Sequence, residues 1–165
     1  MSIKRAVSVV LIGLTLVALG LQGVRAAQTA TGKPLAPHKQ TNFPPLPFGP
    51  RDPLPRPPQV VAQVFQFAAD HPEILNYVPC YCGCERMGHK GNDDCFVKAR
   101  AANGDVVAWE PHGTECTVCI DVGLESMQMY SSGASVRDIR AAIERKWNAT
   151  HQSHTPTPPV PAASK

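Results

Sequence analysis

The stretch Pro79-Cys80-Tyr81-Cys82-Gly83-Cys84 sets three cysteines at alternate positions, with a glycine between the last two. Cys95 follows, then Cys116-Thr117-Val118-Cys119, so the spacing reads C-x-C-x-C-x10-C-x20-C-x2-C. Three chemistries compete for this pattern. In the first, the loop presents thiolates to a metal, and Gly83 lets the backbone turn between them. Cys116 and Cys119 then point from one face of a helix start, where the dipole favours thiolate over thiol. Soft thiolates select Cu(I), Zn(II) or iron–sulfur clusters. In the second, the six cysteines form structural disulfides, for which fifteen pairings exist. A bridge within C-x-C is tight, so each of the first three would pair with Cys95, Cys116 or Cys119. One disulfide beside a metal site is an intermediate arrangement. In the third, Cys116 and Cys119 are nucleophile and resolving thiol of a thiol–disulfide oxidoreductase. No βαβ pattern surrounds that pair, and Ile120 stands where haem attachment through C-x-x-C-H needs histidine.

Metal binding is the reading adopted. The leading donors are Cys82, Cys84, Cys95, Cys116 and Cys119, with Cys80, His89 and His112 completing the set. Met87, Met127 and Met129 add thioethers, which favour copper over zinc as the expected metal ion.

Working outward from the cysteines, the apolar spacing is helical. Val60, Val64, Phe67 and Ala68 share one face of a helix entered through Pro57-Pro58. Pro72 opens a second, short helix carrying Ile74, Leu75 and Val78. Residues 79–94 read as an irregular loop. Phe96-Val97 and Val106–Trp109 form a small hairpin around the turn Asn103-Gly104-Asp105. A third helix starts at Thr114, and its face holds Cys116, Cys119, Ile120, Gly123, Met127 and Tyr130. Ser135 caps a fourth, with the stripe Val136, Ile139, Ile143 and Trp147. The fold class expected is mainly α: one small domain of about four helices with a long Cys-rich loop and a short β-hairpin.

Of the 17 prolines, ten lie between positions 34 and 58 and four between 156 and 161. That divides the 165 residues into a leader at 1–26, a Pro-rich linker at 27–58, the Cys-rich domain at 59–150 and a disordered Pro-rich tail at 151–165. Lys4 and Arg5 precede an apolar run ending at Val24-Arg25-Ala26, the pattern of a secretory signal peptide cut before Ala27. The expected location is therefore extracytoplasmic, periplasmic or secreted, with membrane attachment only through an uncleaved leader. The net charge of +3 comes from the flanks, because residues 59–150 hold eight Lys and Arg against twelve Asp and Glu. An acidic domain lacks the electrostatic footprint of nucleic-acid binding and suits a cation as partner. No paired carboxylates in a catalytic frame, nucleophile-elbow serine or phosphate loop is present, so a binding protein is expected rather than an enzyme.

The run Pro79–Cys84, with Gly88-His89-Lys90, Asp94-Cys95-Phe96, Pro111-His112-Gly113 and Cys116-x-x-Cys119-x-Asp121, resembles the bacterial family named for its PCYCGC motif. The similarity extends into Ser135–Arg140 and covers most of the domain. It implies a small extracytoplasmic domain, secreted or lipid-anchored, and implies no activity. This chain departs from the lipoprotein members in lacking a cysteine near the leader's cleavage site.

Overall fold

A computed structural model describes residues 36–162. The expected signal peptide and the start of the linker lie outside the described residues. Pro58–Asp70 forms α1, entered through Pro57 with proline in its first turn, where a missing N–H costs nothing. Pro72–Leu75 forms the short α2. Val97–Arg100 (β1) pairs antiparallel with Val106–Trp109 (β2), placing Val97 opposite Trp109 and Arg100 opposite Val106. His112–Glu115 makes one helical turn, α3, followed by the long α4, Thr117–Ser131, and by α5, Val136–Trp147. The Ser135 hydroxyl caps α5 by accepting from the Asp138 amide. No helix among the described residues is long and apolar enough to cross a membrane.

The architecture is mainly helical, with a two-stranded sheet and a Cys-rich segment. One expected helix differs. The third does not start at Thr114, because the chain breaks at Cys116, whose φ of −99° and ψ of 104° are extended. The break separates α3 from α4 and makes Cys116 the residue before the α4 first turn rather than part of it.

The core forms where α1 meets α4 and the hairpin. Phe65 on α1 packs edge-on to Phe96 and Trp109, with centroids 5.2 and 5.4 Å away. Gly123 on α4 allows the close approach to α1, since a Cβ there would lie 2.5 Å from Val64 Cγ1. Ile139 and Ile143 of α5 are fully covered. Tyr130 and Val60, expected on buried faces, stay exposed and half-buried.

The flanking segments differ from the spacer and disordered tail expected of them. His38 N–H donates to the Asp70 carbonyl, and the Gln40 amide exchanges two hydrogen bonds with the Val106 backbone. Phe43 stacks on Trp109, whose indole N–H donates to Pro44 O at 2.9 Å. Arg56 forks onto both oxygens of Asp121, at 2.8 and 2.6 Å. In the tail, Thr155 is fully buried and His151 lies against Trp147 and Tyr81. For the arm, the physical reason lies in its prolines. Proline restricts the unfolded chain, so the apolar side chains between prolines dock at reduced entropic cost. Phe43, Leu46, Phe48 and Leu54 use that advantage in the arm.

Replacing Gly123 by Ala forces the α1–α4 contact apart. The expected cost is about 1–3 kcal/mol, as for other overpacked sites, read as a lower midpoint in thermal circular dichroism. An unchanged midpoint would show that the two helices do not rely on that approach.

Candidate metal centre

Gly83 (φ +84°) reverses the chain between Cys82 and Cys84, in a conformation that side-chain-bearing residues avoid. A 3₁₀ turn, Cys84–Met87, follows and closes at Gly88, also at positive φ. The His89 N–H then donates back to the Cys84 carbonyl. A second 3₁₀ turn, Asp93–Cys95, brings Cys95 under the loop. From the other side, α3 delivers His112, the break delivers Cys116, and the first turn of α4 delivers Cys119.

These pieces converge. The Cys80 Sγ lies 3.2 Å from Cys119 Sγ and 3.6 Å from Cys82 Sγ. Cys119 and Cys82 are 3.4 Å apart, and Cys84 and Cys95 3.7 Å. His112 Nε2 stands 3.4 Å from Cys82 Sγ. Two groups of four donors result, each with all its donor atoms within 4.8 Å of one another: Cys80, Cys82, Cys84 and Cys95, and Cys82, His112, Cys116 and Cys119. His89 stands outside both, with Nδ1 3.6 Å from Cys95 Sγ and its ring edge-on to His112.

All six cysteines are free. Their closest Sγ–Sγ separation, 3.2 Å, is far from the ~2.0 Å of a disulfide. It is near the spacing of ligands sharing a metal: thiolates at ~2.3 Å from a tetrahedral ion stand about 3.8 Å apart. The groups have Cys₄ and Cys₃His composition, both tetrahedral zinc sets. None of the expected thioethers is buried with the thiols. Met87 is 59% exposed, and Met127 and Met129 pack on the core.

The electrostatics divide the sulfurs. Contact with Cys119 brings the Cys80 thiol down to about 4 and the Cys84 thiol down to about 3. Cys116 and Cys119 together pull Cys82 far below the usual thiol range. The loop is thus the thiolate side of the centre. Cys119 acts to lower Cys116, but the Cys82 thiolate and burial outweigh it and push Cys116 up to about 11. Of the pair Cys116 and Cys119, the first is half-buried and the second wholly buried. Burial acts to lower His112, but the Cys82 thiolate at its Nε2 outweighs burial and raises it.

Three residues that spacing does not reveal hold the donors in place. The Thr155 hydroxyl accepts from Cys80 N–H at 2.9 Å, and Thr155 N–H donates to Cys80 O at 2.9 Å. Buried Asn92 donates its amide to Cys119 O, while its backbone accepts from Cys95 N–H and donates to Val78 O. Arg100 joins the carbonyls of Ala68 and Ala69 to the Asp93 carboxylate beside Cys95. Burial pushes that carboxyl up to about 7 against the pull of Arg100. The only available signal for these roles was the polar residue type.

Thr155→Val keeps the shape and leaves the Cys80 N–H without its acceptor. The expected loss is about 1–3 kcal/mol of stability in chemical denaturation. Equal stability of variant and parent would show that the tail does not secure the loop.

A family model described as a protein of unknown function with PCYCGC motif matches residues 52–161. No curated protein and no solved structure matches the chain. The matched span covers more than half of the chain and contains all six cysteines and the His112 of the centre, and the chain belongs to the PCYCGC-motif family.

Proposed function

We propose that this is an extracytoplasmic metal-binding protein whose thiolate centre takes a soft d¹⁰ cation, Cu(I) or Zn(II). The observation that carries the reading is the convergence of six free thiols and the His112 imidazole into two overlapping four-donor groups. Thiolates select cations of this class. Crowded, low-pKa thiols also oxidise readily outside the cytoplasm unless something holds them, and a bound metal does so. The extracytoplasmic part rests on the basic and apolar run from Met1 to Ala26. Copper handling is the narrower form of the proposal. The methionines behind it are not buried with the thiols, and the Cys₄ and Cys₃His donor sets suit Zn(II) equally.

The test is to purify the exported protein anaerobically without chelator, measure bound metals by mass spectrometry, and count thiols after unfolding with chelator. Stoichiometric zinc or copper and six free thiols are expected. Absence of zinc, copper and iron, with no uptake of Zn(II) or Cu(I) by the reduced protein, overturns the proposal.

Metal removal has a local signature. Hydrogen exchange across residues 79–119 is expected to speed up when chelator strips the reduced protein, because metal binding and ordering of this segment are coupled. The α1 amides are expected to change less. Equal protection with and without chelator would mean that the centre does not order its own loop.

A further inference from the structure

We propose that the centre is binuclear: two metal ions joined through the Cys82 thiolate, the inner one retained and the outer one exchangeable. The inference rests on the metal-binding reading and concerns how many ions the site holds and which one leaves.

Two sets of four donors lie side by side, and Cys82 is the one residue in both. Together they offer seven donor atoms, six sulfurs and His112 Nε2. Two tetrahedral ions need one donor to serve twice, and the shared sulfur is the donor placed to do so. The position of Cys82 explains the sharing. It follows the first cysteine of the loop and precedes the reversal at Gly83, so it faces Cys80 on one side and His112 on the other. A single ion in either set would leave three further donors crowded within a few ångström and without a metal. With six ionised thiolates, one divalent ion leaves a charge of −4 in a mostly buried centre, whereas two leave −2. The second ion therefore removes repulsion that burial makes costly.

The two sets differ in access. Cys80, Cys84 and Cys95 of the inner set are buried, with Cys82 as its one half-exposed member. In the outer set Cys82, His112 and Cys116 are all half-exposed and only Cys119 is buried. Its one nitrogen ligand also makes it the less charged set. An incoming ligand reaches the outer ion through Cys116 and His112 without opening the core. The inner ion is reached only after the loop at 79–95 moves.

Cadmium-113 is the probe. The reduced protein is loaded with ¹¹³Cd(II), its metal content is measured, and its cadmium resonances are recorded. Two ions per chain with two resonances split by mutual coupling through a shared sulfur are expected. The double variant Cys116→Ser with His112→Ala is expected to keep one ion, with an uncoupled resonance and an intact fold by circular dichroism. In the unmodified protein, a competing chelator is expected to remove one equivalent rapidly and the second slowly. One ion per chain, or two uncoupled resonances, overturns the bridged pair while leaving metal binding intact. Loss of both equivalents at one rate overturns the assignment of an exchangeable outer ion. No cadmium uptake at all overturns the metal-binding reading itself.

Discussion

The contact between the C-x-C-x-C loop and the start of α4, with Cys80 and Cys82 Sγ at 3.2 and 3.4 Å from Cys119 Sγ, is what the other elements serve. Polarised thiols at such spacing repel once ionised, and the chain must hold them together against that repulsion. It does so by fixing the backbone on every side. Thr155 holds Cys80 from the tail, Asn92 ties the loop to the Cys119 carbonyl, and Gly83 turns the strand of the loop between its last two cysteines. The resulting framework keeps donor atoms near metal-ligand spacing.

The packing behind the centre joins the elements that carry its donors. α4 begins at the donors and then runs along α1, where Gly123 brings the two helices close. Phe65, Phe96 and Trp109 fill the space between α1 and the hairpin. Phe96 follows Cys95 directly, and its carbonyl accepts from the Glu110 amide just before α3. The donors on the loop and the donors on α3 and α4 are thus attached to one aromatic cluster. A change in that cluster is transmitted to the ligand positions, because close-packed interiors shift as units.

The Pro-rich arm and the tail act as outer clamps. The arm covers Trp109 with Phe43 and joins α4 through the Arg56–Asp121 pair. The tail places His151 and His154 around Tyr81, while Tyr81 stacks on Trp147 of α5. Tyr81 sits between Cys80 and Cys82, so the tail and α5 both contact the loop through it.

Much was legible in the residue order alone. The helices at Pro58–Asp70, Pro72–Leu75 and Val136–Trp147, the hairpin and the donor residue types are local properties: apolar period, proline position, cap chemistry and thiolate softness. Such properties act over a few residues, so a linear reading reaches them. The break at Cys116, the docking of the flanking prolines, and the roles of Thr155 and Asn92 depend on surfaces that exist only after distant segments meet. The same holds for the sharing of Cys82 between two donor groups and for the place of His89 outside both. Spacing along the chain says which side chains are able to bind a metal. Which of them stand within 4.8 Å of one another is decided by how the loop, α3 and α4 pack, and that is a property of the tertiary structure.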